Sequence, residues 1–388
     1  MTSKSLPTAS QPAAALQRLL QAGHASDLLG HLRRHYPAFD ADRISTIAIL
    51  GAAGEGVRLA DLCRAQGIGV AAVADDHPAK AGTEIAGQKV RPVASLQEID
   101  RSIPVVIASH RVLGATQRLR SFGFGTVLPF AALQAMAPDR FPPHMFYDGL
   151  LDDLWQNRER YLRLNSQLAD RRSRDVLDAV LGFRQTLDPS VLSPVLDDDD
   201  LYAPKNLIAF SDDEVYVDGG SYDGDTIRSF AKAVNGRFDH VYAFEPDPVT
   251  YRALQSNFAN EPRVEPINAG LHRENGVLRF KDDGSRGAIF ASDGAITMPV
   301  TSLDDVLGQK RVTYIKMNIE GAEIDALYGA EQAIRRERPK LAISVYHRPS
   351  DLWRIPEIVA QFSPDYRLFL RQHDGGIIET VLYAIAKA

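Results

Sequence analysis

The chain has 388 residues, enough for two domains that each bury a core of their own. Apolar residues make up 45% and charged residues 24%, with a formal net charge of −6, a globular composition that offers nucleic acid no general attraction. No apolar run approaches the roughly 20 residues of a membrane helix, no secretory h-region stands at the N-terminus, and Cys63 is the one cysteine, which excludes an internal disulfide and a Cys-based metal site; a cytoplasmic protein is expected.

Residues 1–45 read as an N-terminal helical segment. Positions 1–12 are rich in Ser, Thr and Pro and are expected to be disordered. Leu16, Leu19, Leu20, Leu28, Leu29 and Leu32 then recur at helical spacing, and Gly23 divides the run into two short helices. His31 and His35 share one helical face, yet no third ligand joins them, so a surface helix is expected and no metal.

Residues 46–136 alternate buried-strand patterns at 47–50, 67–74, 104–108 and 126–130 with helical patterns at 57–66 and 112–121. This predicts a small Rossmann-like parallel sheet of four strands. Gly51, Gly54 and Gly56 have the spacing G-x-x-G-x-G and not G-x-G-x-x-G, so a pyridine-nucleotide oxidoreductase is disfavoured, although Asp75 ends the second strand where an acid can hold a ribose. The prolines of 137–143 mark a boundary. A helical linker over 137–204 follows, closing on four consecutive acids, Asp197 to Asp200, that read as a solvated loop.

The last unit, 205–388, is organised around 213–225. Val215-Tyr216-Val217 is a buried strand ending in Asp218, followed by a turn with Gly219, Gly220, Ser221 and Gly224 and a helix from about Asp225. Glycines at a strand-to-helix turn permit unusual backbone angles and let a ligand touch the main chain. The next strand, 240–244, ends in Glu245, 25 residues after Gly220, where a carboxylate can accept from both ribose hydroxyls. A carboxylate at Asp218 repels a pyrophosphate and welcomes an ammonium or sulfonium group. S-adenosylmethionine (SAM) offers both. Further strands are expected near 263–267, 314–317, 341–345, 366–370 and 381–385, the last two as an antiparallel hairpin, with a separate small hairpin at 277–280 and 296–300. Lys316, in mid-strand, is expected to reach a carboxylate as a structural pair.

The segments VYVDGGSYDGDT (215–226), YAFEPDP (242–248), TSLDDVL (301–307), YIKMNIEGAEIDALYGAE (314–331) and the strand to His347 make residues 213–388 resemble the FkbM-type methyltransferases. Asn318 stands where that family usually has an acid. The small 46–135 unit resembles Rossmann-like domains of bacterial sugar-modifying enzymes, a fold that can take a nucleotide-sugar as partner; a non-binding domain that orients a partner is the equal alternative.

The methyltransferase resemblance implies an α/β architecture with a seven-stranded SAM-methyltransferase fold, SAM as cofactor, and a small-molecule acceptor methylated on a hydroxyl of a sugar or secondary metabolite. Asp218, Gly219, Gly220, Ser221 and Gly224 would line the methionine part, Glu245 would hold the ribose and Asn268 would approach the adenine. Glu320, Glu323 and His347 end strands on the substrate side. His347, neutral near pH 7, and Glu320, at a helix start that favours negative charge, are the expected proton acceptors. The contrary reading is a scaffold or nucleotide-sugar-binding protein whose methyltransferase unit no longer catalyses.

Overall fold

Side-chain alternation along the strands decides which layer each residue joins. In β7 (Val215–Gly219; numbering below) Val215 and Val217 enter one buried cluster, while Tyr216 enters another on the opposite face. The computed structural model describes residues 13–282, 288–290 and 296–387. The expectation for 1–12 lies outside the described residues.

The chain opens with α1 (Ala14–Gln21) and α2 (Ala25–His35), divided at Gly23 as the leucine spacing predicts. The first sheet contains β1 (Thr46–Leu50), β2 (Gly69–Ala74), β3 (Glu84–Ile85), β4 (Gln88–Arg91), β5 (Val105–Ile107) and β6 (Val127–Pro129), in the order β3-β4-β2-β1-β5-β6, with α3 (Gly54–Ala65) and α4 (Leu113–Ser121) as crossovers. It has six strands where the sequence predicts four. The additional pair is an antiparallel hairpin whose turn residues, Ala86 and Gly87, have φ of 51° and 75°. A two-residue strand is too short to show alternation, so nothing in the pattern announces it.

Four helices follow: α5 (Phe130–Met136), α6 (Leu150–Gln156), α7 (Arg158–Gln167) and α8 (Arg171–Thr186). They fasten the two sheets together. Ser173 Oγ accepts from the Leu370 N–H at 2.9 Å, Asp170 pairs with Arg371 at 2.8 Å, and the buried Arg184 donates to Pro349 O at 2.7 Å.

The second half of the chain supplies β7, α9 (Asp225–Ala233), β8 (His240–Phe244), α10 (Pro248–Asn257), β9 (Val264–Ile267), β10 (Gly270–Leu271), β11 (Gly276–Asp282), β12 (Ala288–Phe290), β13 (Ile296–Thr301), α11 (Leu303–Leu307), β14 (Tyr314–Met317), α12 (Glu323–Tyr328), α13 (Glu331–Glu337), β15 (Lys340–Ser344), α14 (Asp351–Phe362), β16 (Tyr366–Gln372) and β17 (Thr380–Ala386). Seven of these strands form one sheet in the order β16-β17-β15-β14-β7-β8-β9, parallel except for β17, which pairs antiparallel with both β15 and β16. This is the α/β arrangement with seven strands that the sequence predicts. β11 and β13 pair antiparallel, Val277 opposite Pro299, in a separate small sheet. Strand order reverses between β14 and β7, and the crevice beyond the strand ends at such a point is where an open α/β sheet takes its ligand.

Among the described residues no helix is long and apolar enough to cross a membrane.

Candidate functional site

A cavity of about 700 Å³ lies at the carboxyl ends of β7, β8 and β14. Gly220, Tyr222, Glu245, Lys316 and Glu320 are on its wall, and Leu278 and Met298 of the small sheet contribute apolar surface.

The turn between β7 and α9 is built by close backbone contact. Gly220 has φ of +77°, and a Cβ there would stand 2.1 Å from Asn318 O, so this position admits only glycine. Gly224, at φ +89°, faces Phe258 in the same way, with a Cβ 2.1 Å from the ring. The N–H groups of Gly220 and Ser221 both donate to Phe244 O, at 3.1 and 3.0 Å.

Beneath this turn lies a buried ion pair. Lys316 Nζ stands 2.9 Å from Asp218 Oδ1 and donates to Gly219 O at 3.0 Å and Gly220 O at 2.8 Å, so two of its protons go to carbonyls while its charge faces the carboxylate. Asp218 Oδ1 is held by charge without a directional hydrogen bond, and Oδ2 accepts from Thr226 Oγ1. Both side chains are at most 1% exposed. Lys316 thus finds the structural carboxylate expected of it, and that carboxylate is Asp218. Asp218, expected to meet an ammonium or sulfonium, is in this structure buried against Lys316 and is not on the cavity wall. Gly219 and Ser221 are likewise buried behind the wall, the latter with its hydroxyl donated to Asp218 O at 2.8 Å. Asn268 is turned away too: its amide donates to Glu245 O and Pro246 O, at 2.9 and 3.1 Å, and so shapes the turn after β8. Of the predicted cofactor contacts, Gly220 and Glu245 reach the cavity.

Glu245 is 8% exposed, its Oε2 accepting from the Tyr222 N–H at 2.9 Å and its Oε1 from the Asp247 N–H at 3.0 Å. Burial raises its pKa to about 7 against these two donors, which pull it down. The first sheet repeats this design. Asp75 ends β2, its Oδ2 accepting from the Ala52 N–H at 2.8 Å and its Oδ1 from the His77 N–H at 2.7 Å. The intervals, 23 residues back and two forward, are the same in both units.

His347 does not reach the cavity. It is 1% exposed, with Nδ1 3.0 Å from Glu323 Oε1 and Nε2 3.7 Å from Glu320 Oε2. Burial lowers its pKa, but the charge of Glu323, its bond to that carboxylate and the charges of Glu320 and Asp351 outweigh burial and raise it to about 9. His347, expected as a base, is thus enclosed by carboxylates that favour its protonated form and lies off the cavity wall. Glu323 is engaged as well, with Oε1 accepting from the Ile319 N–H at 2.8 Å. Glu320 is the expected acceptor that does line the cavity, on a residue held at φ 55°.

Sequence reading missed Arg348, one residue beyond His347, and Glu379, both on the wall. Arg348 follows the end of β15, and taking every side chain at a strand end as a candidate would have found it. Glu379 joins the site through Arg111 of the first unit, at 2.9 Å, a contact across 268 residues that no local pattern encodes. Asn318 lines the cavity and accepts from Tyr346 Oη at 3.2 Å.

Residues 218–374 match the model of the methyltransferase FkbM domain. The chain is 26% identical over 158 residues to Methyltransferase 1 of Beauveria bassiana, which covers 32% of this chain and 62% of that protein. It is 29% identical over 103 residues to the hexuronic acid methyltransferase AglP of Haloferax volcanii, covering 25% and 43%. The chain therefore spans less than two thirds of the length of these curated relatives. Its fold is similar to the crystal structure of methyltransferase FkbM from Methylobacillus flagellatus KT, with a TM-score of 0.73 at 26% identity over 96% of this chain and 99% of that one.

Two outcomes follow. Asp218→Asn leaves Lys316 buried without its counter-charge and costs about 3–5 kcal/mol of stability, whereas Asp218→Asn with Lys316→Met recovers part of it; urea denaturation of the three proteins measures both. His347 holds its proton more tightly folded than unfolded, so its contribution is complete below about pH 6.5, its ordinary pKa, and is lost as pH rises through about 9. Stability is expected to fall between pH 7 and 9 by no more than about 1.4 kcal/mol per pH unit, and His347→Gln flattens that slope.

Proposed function

We propose that this chain, whose residues 218–374 are a methyltransferase FkbM domain, transfers a methyl group from SAM to a hydroxyl of a sugar or related metabolite. The observation that carries the reading is Glu245, a carboxylate at the end of β8, lining the cavity and oriented by two backbone N–H groups. Each oxygen keeps a lone pair for a ribose hydroxyl. The donor set fits the cofactor: Asp225, Glu245 and Asp247 give this side of the cavity a negative character suited to a ligand with sulfonium and ammonium groups. The name of AglP supports a sugar acceptor.

SAM supplies a methyl carbon on a positively charged sulfur, and displacement leaves the electron pair on sulfur. The protein holds the two partners in line, an effect worth roughly 7–11 kcal/mol, and Glu320 Oε takes the proton that the acceptor hydroxyl releases. The Glu323–His347 pair acts beneath it, fixing the 318–323 turn through the Ile319 N–H. A second reading, a nucleotide-sugar at the first sheet, draws support from the Asp75 geometry.

Calorimetric titration with SAM tests the proposal. Micromolar binding is expected, lost in Glu245→Ala. Because the ionised carboxylate is what accepts from the ribose, affinity is expected to rise with pH to about 7 and level off above it. Wild-type affinity in Glu245→Ala would refute the assignment.

A further inference from the structure

The charges on the cavity wall divide into two halves. On the side of β7 and β8, Asp225, Glu245 and Asp247 have no cation within ion-pair distance among the described residues. On the side of β14, β15 and β17 the acids have cations beside them, Glu320 facing His347 at 3.7 Å, Asp325 facing Arg273 at 3.1 Å and Glu379 facing Arg111 at 2.9 Å, while His347 is shared with Glu323 at 3.0 Å and Arg111 with Asp374 at 3.6 Å. Arg348 lines this second half, and among the described residues no carboxylate lies within ion-pair distance of its guanidinium. Lys316, the other Lys or Arg on the wall, is fully engaged with Asp218 and two carbonyls. Arg348 is therefore the cation on this wall whose guanidinium is engaged by no carboxylate or carbonyl among the described residues.

Arg348 is exposed, and it is its backbone that the neighbours hold in place. The Arg348 N–H donates to Asp351 Oδ2 at 2.8 Å, and the next residue, Pro349, accepts at its carbonyl from the buried Arg184 at 2.7 Å. Gly321, at φ +92°, passes close beneath: a Cβ there would lie 3.3 Å from Arg348 Nε. The 142–147 segment packs from the other side, with the Phe146 ring 5.8 Å from Tyr346 and 5.8 Å from His347. A guanidinium presents a planar fork of N–H donors that matches a carboxylate at two points.

We propose that Arg348 binds a carboxylate on the methyl acceptor, so that the acceptor is a carboxylate-bearing sugar and not a neutral one. The proposal rests on the reading of this cavity as a methyltransferase site. Arg348 is a specificity-determining residue in it, and the transferred methyl goes to a hydroxyl of the same sugar.

The test measures binding of methyl glucuronide, methyl glucoside and glucose 6-phosphate to the protein saturated with S-adenosylhomocysteine. The unsubstituted protein is expected to bind the glucuronide about tenfold to a hundredfold more tightly than the glucoside, the range of one charged hydrogen-bonded contact. Arg348→Gln is expected to abolish that difference and Arg348→Lys to keep part of it, with SAM affinity unchanged in both. Equal binding of glucuronide and glucoside, tighter binding of the phosphate, no binding of the glucuronide, or a preference that survives Arg348→Gln would each overturn the proposal. Failure of the unsubstituted protein to bind SAM would overturn the underlying reading as well; SAM binding without a glucuronide preference overturns the Arg348 assignment alone.

Discussion

Everything at the cavity depends on the ion pair between Lys316 and Asp218. It joins β14 to β7 at the point where strand order reverses, and it does so in a layer that excludes water. Removing two charges from water is costly, and their attraction offsets that cost only when the remaining donors and acceptors are also satisfied. Here they are: the ammonium takes the carbonyls of Gly219 and Gly220, and Thr226 serves the second carboxylate oxygen. The pair thereby fixes the direction of the glycine turn, whose N–H groups go to Phe244 O and whose next N–H, at Tyr222, goes to Glu245. One buried contact sets the posture of the loop, and the loop sets the carboxylate that faces the cavity.

The same economy holds at β15. His347 lies at a strand end in an α/β sheet, the position from which side chains usually act on a ligand, yet it is enclosed by Glu323, Glu320 and Phe146. Its role is to keep a positive charge under the 318–323 turn. Its neighbours Glu320 and Arg348 are the ones that line the cavity wall.

Much of the fold was legible because it is written in short periods. Val215-Tyr216-Val217 and Tyr314-Ile315-Lys316-Met317 alternate so that Tyr216 stacks on Tyr314 at 4.8 Å on one face, while the aliphatic residues pack on the other. The glycine turn and Glu245 were legible for the same reason, since their spacing is that of one strand–helix–strand unit. What the residues do was harder to read. A sequence shows that Asp218 and His347 end strands but not that partners 98 and 24 residues away already occupy them, nor that Arg111 meets Glu379 across most of the chain. The hairpin at Glu84–Arg91 escaped because two residues carry no pattern.

The most direct test of the account is a structure of the protein bound to S-adenosylhomocysteine. The account predicts the ribose on the Glu245 carboxylate and the ligand's amino acid end beside the Gly220 turn, with Asp218 still paired to Lys316. A ligand seated at the Gly51–Asp75 crevice of the first sheet, or an Asp218 carboxylate released from Lys316 to meet the ligand, would contradict it.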